Sequence, residues 1–346
     1  MVIRSRAPLR IGLAGGGTDV SPYCDEYGGA ILNATISMYA YATIEPTTDG
    51  YIELNAVDCG AVYRYPSAEE LPIDGNLDLL KGVYNRILKD YKIHPLSFKL
   101  STWVDAPPGS GLGTSSTLVV ALLGAFSEWL KLPLGEYDLA SLAYKIERHD
   151  LGMAGGKQDQ YAATFGGFNF MEFSENDKVI VNPLRIRESS IRELEFCLLL
   201  YFTGKSRSSA RIIEAQAGNV ISGKQESVEA MHQLRKQAVL MKEAILRGEN
   251  NEIGRILDFG WQFKKQTAAE VSSSQIDEIY SAAMAAGSTG GKISGAGGGG
   301  FMMFYCPETT RYAVIDALSK FGGEFRRFNF INEGVLGWTV SKRHVF

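Results

Sequence analysis

The run PPGSGLGTSST at residues 107–117 follows an alternating apolar stretch, 97–104, and opens directly onto LVVALLGAFSEWL at 118–130. Alternation predicts a strand for the first of these, closed by Pro107, Pro108 and Gly109. The last is apolar on almost every side, which predicts a helix buried inside the molecule. A glycine-rich loop between strand and helix lets backbone N–H groups approach an anion closely, because no Cβ stands in the way. The first turn of the helix adds unpaired N–H groups and the positive end of its dipole. Ser115 and Ser116 add hydroxyls that can cap the helix or reach Mg²⁺. A lone glycine run reads more plainly as a tight turn; the strand, loop, helix order favours phosphate here.

Two more glycine loops flank this one. GLAGGGTD, residues 12–19, ends a predicted strand at 2–13, and KISGAGGGG, residues 292–300, precedes a predicted strand at 301–306. The third can serve phosphate or only close packing before a strand. Familiar phosphate signatures fail on inspection. Residues 286–293 approach GxxxxGK[ST] but carry Ala286 and Ile293 at defining positions. Residues 295–300 spell GxGxxG, yet a strand follows where a dinucleotide fold needs a helix.

Working outward, residues 39–44 and 51–55 flank Pro46 and Gly50 and predict a hairpin. Helical spacing marks 77–91 and 137–147. Strands are predicted at 168–173 and 196–202, and the charged, weakly structured stretch 174–193 between them marks a domain boundary. The later half is largely helical, at 206–217, 225–246, 253–263, 275–286 and 311–321. This irregular alternation predicts an α+β fold in two domains, 1–180 and 181–346.

Composition is ordinary for a globular chain: 346 residues, 45% hydrophobic, 21% charged, formal net charge −4. That balance gives no reason to expect nucleic acid or an anionic membrane as partner. Cys24, Cys59, Cys197 and Cys306 are far apart without metal-ligand spacing, and the apolar runs around the last two predict buried thiols. A reducing cytoplasm is the expected location. Neither a signal-like N-terminus nor a membrane-spanning run is present in the sequence.

Acidic candidates lie in ERHDLGMAGGKQDQ, residues 147–160. Glu147 either points inward from a helix end or sits in solvent there. Asp159, after Gly155 and Gly156, is either catalytic or a turn or cap aspartate. Mg²⁺ takes one or two protein oxygens and leaves the rest to phosphate and water, a demand that Ser115 and Glu147 would meet. The four histidines show no paired spacing.

With these residues in view, the chain resembles the GHMP kinases through APLRIGLAGGGTD (7–19), PPGSGLGTSS (107–116) and KISGAGGGG (292–300), in that order. The resemblance implies an N-terminal domain like ribosomal protein S5 domain 2 and a ferredoxin-like C-terminal domain. It implies ATP held by Pro108, Gly109, Ser110, Gly111, Leu112, Gly113, Thr114, Ser115 and Ser116, with Ser115 and Glu147 on Mg²⁺. Asp159 would be the catalytic carboxylate, with Arg10 beside it favouring its ionised form and the transferring phosphoryl group. Gly16, Gly17, Thr18, Asp19, Gly156, Gly297 and Gly298 would line the sugar. The bare Gly15, Gly16 and Gly17 depart from the pattern usual in galactokinases.

AGGGTD, ERHDLG, GGKQDQ and YFTGKSRSS look like the branch that holds D-glycero-D-manno-heptose 7-phosphate kinases and L-fucokinase domains. Lys205, Arg207 and Arg211, with Lys157, would then hold a phosphate already on the sugar, or else form a solvated basic face. The expected partner is a sugar or sugar phosphate, phosphorylated at the anomeric hydroxyl, and self-association as a homodimer is allowed for. A free-sugar 1-kinase such as an L-fucokinase is the alternative within the enzymes. A sugar- and ATP-sensing regulator without catalysis is the alternative outside them, and Glu147, Asp159 and both serines argue against it.

Overall fold

The structure is a computed structural model that describes residues 1–205 and 209–341. The first sheet holds β1 (Val2–Ala14), β2 (Gly29–Pro46), β3 (Tyr51–Ala56), β4 (Ala61–Pro66), β5 (Phe98–Val104), β6 (Phe168–Phe173) and β7 (Val179–Pro183). The second holds β8 (Leu198–Phe202), β9 (Gly290–Ile293), β10 (Phe301–Tyr305) and β11 (Glu324–Arg326). The last strand, β12 (Leu336–Val340), returns to the first sheet and pairs with β1.

β1 and β2 form the spine. β2 pairs with β6 along its first part and with β5 along its last, while β1 runs beside it throughout. From Ala7 to Ala14 every residue of β1 is buried, because helices cover both faces of the sheet there. The register of β1 against β2 shifts between Pro8 and Arg10, where Pro8 offers no N–H to the ladder. One core lies between the sheet and helices Asp78–Tyr91 and Thr114–Leu130. Another lies between the sheet's opposite face, helix Gln225–Arg247 and the second sheet, and a further one between the second sheet and helices Asn250–Thr267, Ser274–Ala285 and Thr310–Ser319. Val119–Phe126 are all buried, so the apolar helix is surrounded as its composition requires.

The second sheet has the order β11-β8-β10-β9 with antiparallel neighbours. Helices lie between β8 and β9, and helix Thr310–Ser319 between β10 and β11. This is the β-α-β-β-α-β arrangement of ferredoxin-like domains.

Two expectations are corrected. The strands near 39–44 and 51–55 exist, but they are not a hairpin: β5 lies between them, antiparallel to β2 and parallel to β3, and β3 turns back onto β4 instead. The buried alternate residues of β5, Phe98, Leu100 and Thr102, need a central place that an edge would not give. The stretch 174–193 is also more structured than its charge suggests. It contains β7 and the start of helix Glu188–Cys197, whose inward face carries Leu194 and Cys197.

Candidate active site

The three glycine loops meet at a cleft of about 620 Å³ between the two domains. Gly113 caps helix Thr114–Leu130 with φ +78° and, as a glycine, offers no side chain to cap it. Its first-turn N–H groups therefore remain to be satisfied at the cleft. Pro108, Gly109, Gly111, Gly113, Thr114, Ser115 and Ser116 line this end. Ser110 and Leu112 are buried behind it: the Ser110 carbonyl accepts from Phe301 N at 2.9 Å, and Leu112 packs in the core.

Asp159 stands opposite, in the first turn of helix Gln158–Phe165. A Cβ on Gly113 would lie 3.2 Å from the Asp159 carboxyl carbon, so the capping glycine and the carboxylate are neighbours. Arg10, on the irregular part of β1, is 3% exposed and donates from Nε to Asp159 Oδ1 at 2.7 Å, with Nη2 at 2.6 Å from the same oxygen. Its Nη1 donates to the Gly111 carbonyl at 2.6 Å. One guanidinium thus fixes both the carboxylate and the glycine loop ahead of the helix.

Glu147 does face inward and is almost wholly buried. The helix carrying it widens into a π-turn at Ile146–Asp150, a local irregularity often found at functional sites. Ser116 donates to Glu147 Oε1 at 3.0 Å, and Gln160 donates to Oε2. Burial holds the Glu147 carboxyl above its ordinary pKa; Arg148, 3.8 Å away, only partly opposes this.

Asp19 lies at the other end. Its Oδ2 accepts from Gln158 N at 3.0 Å and its Oδ1 from Gly17 N at 3.3 Å. Burial raises its pKa, with the Gln158 amide pulling the other way. Gly156 must be glycine, since a Cβ there would collide with the Asp19 carboxylate. Gly17 lines the cleft, whereas Gly16 and Thr18 stand behind it. The Thr18 hydroxyl lies 2.8 Å from the Gly15 carbonyl, closing the loop on itself.

Several expected contacts fall elsewhere. Lys157 does not reach the cleft: its buried ammonium sits 2.9 Å from Asp177 and 3.5 Å from Asp25, the carboxylates that a buried lysine needs. Lys205 is exposed and donates to Gln275 at 2.8 Å, and Arg211 is exposed on helix Ser209–Ile221. Arg207 lies outside the described residues. Gly297 and Gly298 pack on Val271, whose carbonyl accepts from Gly298 N at 2.8 Å; Gly295 and Ala296 line the cleft in their place.

Other residues were not foreseen. Arg148 and Lys264 line the cleft, as do Gln158 and Gln216. Lys264 donates to the Gly16 carbonyl at 2.9 Å and Lys292 to the Gly12 carbonyl at 2.8 Å. Burial lowers the first amine's pKa to about 8 and the second's to about 7, the latter also through Lys264 and Arg10 nearby. A signal for Lys264 was present, because it continues the buried stripe of Ile253, Leu257 and Trp261 on helix Asn250–Thr267.

The three glycine loops and the carboxylates thus converge on one cleft, and the chain is similar to known proteins along its length. Residues 78–167 match the model of the GHMP kinases N terminal domain, and 241–324 that of the GHMP kinases C terminal domain. The chain is 50% identical over 338 residues to D-glycero-alpha-D-manno-heptose 7-phosphate kinase of Campylobacter jejuni, covering 98% of this chain and 99% of that one. It superposes with TM-score 0.85 on the crystal structure of a D-glycero-D-manno-heptose 1-phosphate kinase from Bacteriodes thetaiotaomicron. That structure is 49% identical, over 98% of this chain and 100% of the other. The L-fucokinase/L-fucose-1-P guanylyltransferase of Bacteroides fragilis is more distant, at 26% over 87% of this chain and 34% of the longer protein. By fold, by loops and by this similarity along its whole length, the chain belongs to the GHMP kinase family.

Proposed function

We propose that this chain transfers the γ-phosphoryl group of ATP to the anomeric hydroxyl of D-glycero-D-manno-heptose 7-phosphate, giving the 1,7-bisphosphate. The placement of Asp159 against the capping Gly113 carries the reading, since a carboxylate there faces the helix end that would hold the triphosphate. The half-identical relative from Campylobacter jejuni supports the choice of acceptor.

In this scheme the Thr114–Leu130 helix end and the loop before it bind the phosphates. Asp159, aimed by Arg10, takes the proton of the anomeric hydroxyl as its oxygen forms the bond to Pγ and the bond from Pγ to the ADP oxygen breaks. Arg10 also offsets charge on the transferring group. The Glu147 carboxylate and the Ser115 and Ser116 hydroxyls are hard oxygen donors lining the same end of the cleft, which fits Mg²⁺. Burial disfavours the Glu147 charge, and a divalent cation beside it would favour that charge. When bound, Mg²⁺ supplies charge neutralisation to the β- and γ-phosphates. Residues 1–180 then carry the nucleotide and the catalytic carboxylate, and 181–346 complete the acceptor site, apart from β12, which joins the first sheet. The free thiols of the four cysteines suit a cytoplasmic setting.

The test is a panel of heptose 7-phosphate, the free heptose, L-fucose and galactose with Mg·ATP, read as ADP release. Heptose 7-phosphate should give the highest kcat/KM, and NMR of the product should show phosphorus on the anomeric oxygen. Preference for L-fucose would replace the acceptor, and no turnover on any sugar would favour a regulator.

A further inference from the structure

Lys264 has no part in the phosphoryl transfer proposed for this site, and its own role depends on that proposal only for the acceptor's identity. An ammonium has three hydrogens to donate. Nζ of Lys264 gives one to the Gly16 carbonyl at 2.9 Å, and no second acceptor among the described residues takes another. Asp19 acts on it through charge without pairing. Leaving donors of a buried cation unfilled is costly, so an ammonium on a cavity wall calls for oxygen atoms of a ligand.

Gln216 stands on the same wall and is also buried. One N–H of its amide goes to the Thr267 hydroxyl at 2.8 Å. Its Oε1 lies 3.6 Å from where a Cβ on Gly17 would stand, and Lys264 Nζ lies 2.9 Å from that same point. The bare Gly17 leaves that point to Lys264 Nζ, with Gln216 Oε1 and Met231 Cε each 3.6 Å from it, and the Asp19 carboxylate, which accepts from Gly17 N at 3.3 Å, stands on the same loop. A phosphate group, which only accepts, would face the Gln216 oxygen and be repelled by the Asp19 carboxylate on that loop. A polyol fits, because each hydroxyl both gives and takes a hydrogen bond. We propose that Lys264 and Gln216 read hydroxyl groups of the acceptor sugar beside Asp19, so that the second domain supplies half of the hydroxyl-reading subsite and the phosphate is read elsewhere.

The experiment is a cycle between protein and substrate. Wild type, Lys264→Met and Gln216→Leu are assayed on the acceptor and on its mono-deoxy analogues, with KM for ATP and Tm measured in parallel. Lys264→Met should raise KM for the acceptor by about 10–100-fold, the range for losing a hydrogen bond to a charged group, and leave KM for ATP within about twofold. One deoxy position that is costly to wild type should cost the variant nothing more, while the others keep their full cost. The phosphorylated and free sugars should lose equally. Additive costs at every position, or an equal rise in KM for ATP, would show that Lys264 only braces the Gly16 loop and overturn the proposal. A loss confined to the phosphorylated sugar would overturn the hydroxyl assignment. If Lys264→Met does not fold, Gln216→Leu carries the same cycle. Wild-type turnover of a different sugar removes heptose 7-phosphate from the scheme and moves the series to that sugar; inertness on every sugar overturns both readings.

Discussion

Asp159 and Lys292 show how far single groups can be argued from their surroundings. Asp159 receives two contacts from one guanidinium, so it is positioned before substrate arrives. Asp159→Asn keeps the shape and removes the proton acceptor; kcat should fall by about 10²–10⁴-fold, with KM for ATP nearly unchanged. Steady-state kinetics with both substrates varied checks this, and near-normal kcat would take the base role from Asp159. Lys292 makes a prediction about stability. Its folded pKa of about 7 lies below its ordinary value of 10.5, so between these the unfolded chain binds more protons than the folded one. Stability contributed by this site must then rise with pH across that window, and the penalty of the buried charge is fully present below it. Measured against Lys292→Met, which cannot titrate, wild type should gain in Tm as pH goes from 7 to 10. A constant difference would mean that the amine keeps its proton through ligation by the Gly12 carbonyl.

At the scale of elements, what could be read from the sequence divides along one line: local signals succeeded and tertiary ones failed. The glycines at 109, 111 and 113 followed by an unbroken apolar run specified the loop and its buried helix, because both follow from local sterics and composition. Asp159 was a candidate from its own sequence setting and Arg10 through resemblance alone, and the structure brings them together across 149 positions. Lys157 was misread since a lysine beside two glycines in a loop gives no hint that Asp25 and Asp177 converge on it. Lys264 was overlooked beside Lys265, although only the first lies on the apolar stripe. The β2–β3 hairpin failed for the same reason. Alternation locates a strand, whereas the choice of neighbour depends on where β5 must sit to bury Phe98, Leu100 and Thr102. Helix Glu188–Cys197 hid under its exposed charges, with few inward residues to mark its period.

The two domains are fastened to each other through the site itself. Ser294 Oγ donates to the Gly111 carbonyl at 2.9 Å, and Phe301 N donates to the Ser110 carbonyl at 2.9 Å. Lys292 and Lys264 reach from the second domain to carbonyls of the first loop. Gly111 and Gly295 meet so closely that a Cβ on Gly295 would lie 2.9 Å from Gly111 Cα, and one on Gly111 would collide with the Ser294 carbonyl. β12 adds a crossing of a different kind, carrying the end of the chain back to β1. These links bind the conformation of loop 107–113 to the presence of the folded second domain, so neither half should melt without the other. Scanning calorimetry should show one transition, with calorimetric and van't Hoff enthalpies in agreement. Mg·ATP and acceptor should each raise that single Tm, because each binds only where both domains stand. Ser294→Ala removes one fastening of about 1 kcal/mol and should lower the whole transition by about 1–2 °C without dividing it. Two resolved transitions in wild type, with ATP shifting only one, would mean that the loops touch across the cleft without coupling the domains.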